Sequence, residues 1–200
     1  MTQPAATREP YETVPPVGPP VPVAGHVFWI TGLSGAGKTT TARHLAARLR
    51  DRHRSVIVLD GDELRGVYGD GLEFTVAHRR MLAFRHARLC QLLSSQGFDV
   101  VCATISLFHD CHAWCRQNLK HYHEIYLRVS MAELVHRDAR GFYQRAATGE
   151  QRDLVGVDLP VEEPLSPHLV IDNDGQFTAD DVAERLWDYV LNHEGFHSAG

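Results

Sequence analysis

The chain has 200 residues, 44% of them hydrophobic, and a formal net charge of −5, enough for one packed core and little reason to expect two. That acidic balance argues against a general nucleic-acid or membrane surface, so any positive site must be concentrated in a pocket. No apolar run approaches the roughly 18 residues of a spanning helix, and no basic-then-apolar leader opens the chain, which points to a cytoplasmic protein.

Seven of the ten prolines fall in residues 1–22, where apolar periodicity is absent. Such a segment cannot repay the entropy of ordering, so residues 1–24 are expected to form a flexible or polyproline extension and residues 25–200 a single domain. The run HVFWI predicts a strand over 26–31. KTTTARHLAARLRDRH predicts a helix over 38–50, with Leu45, Ala46 and Leu49 on one face. A strand over 55–59 follows, and GDELRGVYGDGLEF reads as a mixed loop. Next come a long helix over 75–96, a strand over 98–104, a short helix near 110–119, a strand over 124–129 and a helix over 131–137. A polar loop separates these from a strand over 168–171 and a final helix over 178–192. Strands alternating with helices imply a three-layer α/β fold: a mostly parallel sheet, helices on both faces, and nucleotides bound at the carboxyl ends of the strands.

Between the first strand and the first helix, Gly32, Gly37, Lys38 and Thr39 match G-x-x-x-x-G-K-[ST]. A structural turn is the plain alternative, but the flanking strand and helix are those a phosphate loop needs. The glycines let several N–H groups converge on one anion, and the helix N-terminus points at the same place. Gly32, Ser34, Gly35, Ala36, Gly37, Lys38, Thr39 and Thr40 are therefore expected to hold the nucleotide. Lys38 adds a mobile positive charge, and Thr39 offers its hydroxyl to Mg²⁺.

Asp60 and Asp62 end the second strand at the same edge. Two carboxylates there can organise Mg²⁺ or accept a proton from an attacking hydroxyl, whereas the plainer reading of Asp62 is a helix N-cap. Arg137, Arg140, Arg145 and Arg152 crowd RDARGFYQRAATGEQRD. Phosphoryl transfer spreads negative charge over equatorial oxygens, and a mobile lid can bring arginines to it; a solvated charged face is the alternative. Cys90 and Cys102 read as core fillers, and the four cysteines suit a reducing compartment. Cys111 and Cys115, near His109 and His112, lack a standard zinc spacing, so a helix with ordinary side chains is preferred to a metal site.

Taken together, GLSGAGKTTTA, LDGDELR, LEF with Arg79 and Arg85 downstream, ATIS, HRDARGFYQRAATGE and VGVDLPVEEP resemble the adenylylsulfate kinase (APS kinase) family, in order over residues 26–172. The resemblance implies a P-loop kinase that moves the γ-phosphate of ATP onto the 3′-hydroxyl of adenosine 5′-phosphosulfate (APS), giving PAPS, with Mg²⁺ held at Thr39 and Asp60. It implies that Lys38, Asp62, Arg137 and Arg140 act in catalysis, the two arginines from the lid. Arg65, Phe74, Arg79, Arg85, Ile105 and Ser106 would contact the acceptor together with Asp62. It also implies a homodimer.

The departures from the family pattern cluster on the acceptor half. His78 stands where the family shows Asp, Leu82 where it shows Asn, Leu107 and Phe108 where Pro-Tyr is usual, and His112 where an arginine is usual. Leu154 occupies an acceptor position where a ring would stack on adenine. A lost stacking partner is worth about 1 kcal/mol, and a lost hydrogen bond at Leu82 about 1 kcal/mol. The same donor with another nucleotide-like or small hydroxyl acceptor is therefore a second expectation. A catalytically silent nucleotide-binding module is a third, disfavoured by the survival of Lys38, Thr39, Asp60 and Asp62.

Overall fold

The computed structural model describes residues 23–69, 75–138, 141–150 and 154–193. Its centre is β1 (Val27–Thr31), five residues that are all buried. Alternation along this strand sends Val27 and Trp29 to one face and Phe28 and Ile30 to the other. Apolar character on both sides of one strand requires a layer on each face, as the sequence predicts.

β2 (Val56–Asp60), β3 (Asp99–Ala103), β4 (Tyr122–Arg128) and β5 (Leu169–Asp172) complete a five-stranded sheet in the order β2-β3-β1-β4-β5. All four pairings are parallel. Ile30 pairs with Ala103 on one side and Ile125 on the other, so the carboxyl ends of β1, β3 and β4 open at one edge. The chain leaves β1 towards β2 and β3 and crosses to β4 and β5 on the other side, which makes that edge a switch point where a crevice forms.

One face is covered by α1 (Lys38–Asp51), which inserts Ala42, Leu45 and Leu49, and by the late helix Ala179–Leu191, which inserts Val182, Leu186 and Val190. Burying one such leucine stabilises the fold by about 1.5–3 kcal/mol. On the opposite face the helix Val76–Ser94 packs Ala83, Ala87 and Cys90, and the helix His109–Asn118 packs Cys111 and Cys115. All four cysteines are buried and free. Among the described residues no group of three or more His, Cys, Asp or Glu is placed to hold a metal.

Two segments expected to be loops contain helices. The first is α2 (Gly61–Tyr68), where Asp60 caps the helix: its Oδ1 accepts from the Asp62 N–H at 2.9 Å. The cap expected of Asp62 is thus supplied by Asp60, and Asp62 and Glu63 occupy the first turn, where negative charge favours a helix. In chain order the helices Val76–Ser94 and His109–Asn118 are then α3 and α4, and α5 is Met131–His136. The second unexpected helix is α6 (Phe142–Ala147), and the helix Ala179–Leu191 is α7. Asp138 nucleates α6, accepting from the N–H groups of Phe142, Tyr143 and Gln144 at 2.8, 2.7 and 3.0 Å. Three orphan amides answered by one carboxylate offset the cost of starting so short a helix.

Candidate functional site

A cavity of about 370 Å³ lies along the carboxyl edge, bounded at one end by the β1–α1 loop and at the other by α2, α3 and the segment after β3. That volume suits a small molecule of drug or nucleotide size.

At the loop end the backbone dictates the residue types. A Cβ at Gly32 would stand 2.5 Å from the Leu127 carbonyl oxygen, so only glycine lets the loop leave β1 so close to β4. Gly37 caps α1 with φ 95° and no side-chain cap, leaving the first amides of the helix unclaimed by any side chain. Two side chains brace the loop from outside: the Tyr143 hydroxyl donates to the Ser34 carbonyl at 2.9 Å, and Asn173 Nδ2 donates to the Ala36 carbonyl at 3.3 Å. A cradle of this shape can hold an anion.

Lys38 Nζ donates to the Leu33 carbonyl at 2.7 Å and lines the cavity. Burial lowers its pKa from the usual value to about 8, with Asp62 and Asp60 acting in the opposite direction. Beside it the Thr39 hydroxyl donates to Asp60 Oδ2 at 2.6 Å, and Asp60 is buried. This hydroxyl and carboxylate are hard oxygen donors at the mouth of a phosphate cradle, and they fit Mg²⁺, which favours one or two protein oxygens together with phosphate oxygens and water.

Of the residues expected to hold nucleotide, Ser34, Gly35, Gly37, Lys38, Thr39 and Thr40 line the cavity, while Gly32 and Ala36 shape the loop from beneath. Asp62, Arg65 and Arg79, expected to contact the acceptor, line the end of the cavity away from the phosphate loop, with Ile105 and Ser106. Arg137 also faces the cavity and is tied down, its Nε donating to Glu133 Oε1 at 2.6 Å and its Nη2 to the Asn173 carbonyl at 2.7 Å. Phe74, Arg140 and Arg152 lie outside the described residues.

Two expected acceptor contacts lie elsewhere. Arg85 extends over the Tyr68 ring at 5.8 Å and is not part of the cavity wall. Leu154 turns into the main core, and Val155 and Leu159 reach the cavity instead. An apolar side chain gains more from the core than from a wet cleft, whereas a ring at this position would have had both to choose from.

The other departures have local roles. His78 sits on the Thr75 cap of α3, its Nδ1 3.2 Å from the Thr75 hydroxyl. Leu107 packs with Tyr126 and Val155 on the cavity side, and Phe108 lies under the Arg80 guanidinium at 5.1 Å. His112 is buried, and its Nε2 lies 2.8 Å from the Ser106 carbonyl. Arg116, also on α4, pairs at 2.8 Å with Glu124, a fully buried carboxylate.

Sequence reasoning missed Tyr143, Asn173 and Glu133, which reach the site only through the fold. It also missed His86 and Thr104 on the cavity wall, although Arg79, Leu82 and His86 are spaced on one helix face and ATIS includes Thr104.

The family model for adenylylsulphate kinase matches residues 24–172, spanning both ends of the cavity. The chain is 38% identical over 148 residues to a cytidine diphosphoramidate kinase of Campylobacter jejuni, covering 74% of this chain and 86% of that one. It is 35% identical over 166 residues to an adenylyl-sulfate kinase of Bacillus pumilus, covering 82% of this chain and 84% of that one. Its structure is similar to that of the Mycobacterium tuberculosis APS kinase in complex with AMPPNP and APS, with a TM-score of 0.77 and 29% identity over 84% of this chain and 99% of that one. Because the match runs through both halves of the cavity, the chain belongs to the adenylylsulphate kinase family, phosphotransferases that act on a hydroxyl group.

Proposed function

We propose that the chain transfers the γ-phosphate of ATP to the ribose 3′-hydroxyl of a nucleoside bearing a two-unit acidic tail at its 5′ position. With APS, the acceptor of the family, the products are PAPS and ADP, as in sulfate assimilation. The observation that carries this reading is one continuous cavity with the Lys38 and Thr39–Asp60 groups at one end and Asp62, Arg65 and Arg79 at the other. A phosphate donor and an anionic acceptor laid end to end there meet at Asp62.

The chemistry is positioning and charge stabilisation. The loop amides and the Lys38 ammonium hold the β- and γ-phosphates. Thr39 and Asp60 hold Mg²⁺, which neutralises charge on the transferring phosphoryl group when bound. Asp62 aligns the acceptor hydroxyl and takes its proton. Arg137, with Arg140 from the lid, faces the equatorial oxygens, while Arg65 and Arg79 hold the acceptor's acidic tail, with Phe74 against its base.

A second reading keeps this chemistry and changes the acceptor to another 5′-tailed nucleotide. Two observations favour it: Leu82 lines the cavity where the family carries an amide, and Leu154 is withdrawn into the core. The similarity to a cytidine diphosphoramidate kinase supplies a concrete alternative. An ADP-release assay with APS, cytidine diphosphoramidate and plain nucleoside diphosphates tests both readings. Turnover with APS at micromolar concentrations supports the first, preference for the diphosphoramidate supports the second, and ADP release indifferent to every tailed nucleotide contradicts both.

A cytoplasmic homodimer is part of the same proposal. Among the described residues no helix is long and apolar enough to cross a membrane. An APS kinase from Thiobacillus denitrificans with a TM-score of 0.59 and 28% identity is described as hexameric, which makes a larger assembly the alternative to a dimer. Sedimentation velocity of the full chain distinguishes a dimer from a monomer or a larger assembly.

A further inference from the structure

Two runs of chain line the cavity without being part of the phosphate loop. One leaves β3 and carries Leu107 and Phe108 into α4; the other carries Val155, Leu159, Pro160 and Glu162. They touch through a small apolar cluster of Leu107, Tyr126 and Val155. From Pro160 to Pro164 the second run belongs to no helix or strand, so no backbone ladder fixes it and side chains must. Further along it is tied where Arg116 Nη2 donates to the Ser166 carbonyl at 2.7 Å.

The central tie is Glu162. α4 is capped at Phe108, whose side chain has no hydrogen bond to offer, and the first N–H of the helix, that of His109, donates instead to Glu162 Oε2 at 2.7 Å. A carboxylate 53 residues away thus caps the helix, in a charge-assisted bond at the end where the peptide dipoles favour negative charge. Glu162 Oε1 accepts from Arg80 Nη2 at 3.4 Å, and Arg80 Nη1 donates to Asp110 Oδ2 at 2.6 Å, so one guanidinium on α3 joins α4 to the second run. The His109 ring adds another tie. A carbonyl can only accept, so His109 Nε2 carries the proton that the Glu163 carbonyl receives at 2.8 Å. Tyr126 hydrogen-bonds the Glu163 carboxylate.

We infer that Glu162 is a positioning residue for the acceptor: by clasping residues 159–163 to the first turn of α4 it holds the two runs at one spacing and keeps that part of the cavity in the shape that grips the nucleotide. This rests on the reading that the cavity holds ATP and a 5′-tailed nucleotide. Without the carboxylate the His109 N–H loses its acceptor, Arg80 keeps Asp110 alone of its two acids, and the second run is left with the His109 ring and apolar contact. None of these hydrogen bonds reaches the phosphate loop, whose braces come from Tyr143 and Asn173. Loss of the clasp therefore falls on the acceptor and spares ATP. Glu162 acts through the chain it holds.

Steady-state kinetics with APS and with cytidine diphosphoramidate, run on the wild type, Glu162→Ala and Glu162→Gln, separate KM from kcat. For whichever acceptor the wild type uses, Glu162→Ala is expected to raise the acceptor KM by about tenfold, with kcat at saturating acceptor and the Kd for ATP unchanged. Glu162→Gln, whose side-chain carbonyl still accepts from the His109 N–H, restores most of the loss. Hydrogen exchange gives a readout free of turnover: exchange in residues 154–166 and in the first turn of α4 speeds up in Glu162→Ala, while exchange in α1 stays as in the wild type. If Glu162→Ala does not fold, His109→Phe cuts the tie to the Glu163 carbonyl and raises the same KM by a smaller factor. An acceptor KM unmoved in the variants, a loss that Glu162→Gln does not restore, or a raised KM without faster exchange in residues 154–166, the mark of direct contact with the acceptor, overturns the inference alone. Phosphorylation of neither nucleotide by wild-type protein that binds ATP overturns the underlying reading instead.

Discussion

The phosphate-loop end of the cavity is shaped by backbone, with the Lys38, Thr39 and Asp60 side chains set on it, and the opposite end by side chains. At the donor end a short glycine-containing turn leads into the uncapped start of α1, and Tyr143 and Asn173 brace that turn through its carbonyls. At the acceptor end Arg65, Arg79, Leu82 and His86 project from α2 and α3, and each can be exchanged without moving the chain. A backbone device tolerates little change, because its glycines are required by contacts such as the 2.5 Å approach of a Gly32 Cβ to Leu127. A side-chain device can be retuned one position at a time. That asymmetry fits the departures at Leu82, Leu107 and Phe108, which line the cavity away from the phosphate loop, while the loop keeps every element of its motif.

Mutations that separate the two ends test this division. The largest effect is expected from Lys38→Ala, which removes the buried ammonium and lowers kcat/KM by about 10³-fold. Titration with a non-reactive acceptor analogue should show acceptor affinity nearly unchanged; an equal loss at both ends would mean that they are not independent. Next is Asp62→Asn, which keeps the shape but not the proton acceptor. It lowers kcat by about 10²-fold, with the ATP Kd held, as single-turnover kinetics would show.

Changing pH perturbs the phosphate-loop end without a mutation. Lys38 has a pKa of about 8 in the free protein, and a triphosphate binds its charged form. Below pH 8 the ammonium is already present. Above it a proton must be taken up, so ATP affinity falls with rising pH, by about tenfold per unit, until the pKa of the complex is reached. Calorimetry in buffers of different ionisation enthalpy should detect proton uptake at pH 9 and none at pH 7. The smallest effect is expected from Tyr143→Phe. Losing one hydrogen bond to the Ser34 carbonyl costs about 1 kcal/mol and weakens ATP binding by about fivefold, while the KM for the acceptor stays constant.

Most of the fold was legible because its signals are local. The apolar run at β1, the amphipathic α1 and the glycine spacing between them each occupy fewer than fifteen residues. The helices α2 and α6 were hidden because their caps come from residues outside the apolar pattern, Asp60 at the end of a strand and Asp138 ahead of Gly141. At the site, the residues of the motif could be named from spacing, and Asp62, Arg65 and Arg79 from the resemblance. Arg85 and Leu154 could not be placed that way, since whether a side chain turns to the cavity or to a neighbour depends on competition with Tyr68 or the core.

In the proposed reaction ATP and a 5′-tailed nucleotide meet end to end at Asp62. The most direct measurement follows label from γ-³²P-ATP in a single turnover with APS and with cytidine diphosphoramidate, mapping the product's phosphate by specific 3′-nucleotidase digestion. Label carried on the ribose 3′-oxygen of at least one acceptor, and released by that digestion, is the predicted result. Label appearing only as inorganic phosphate, or on a different oxygen of the acceptor, would contradict it.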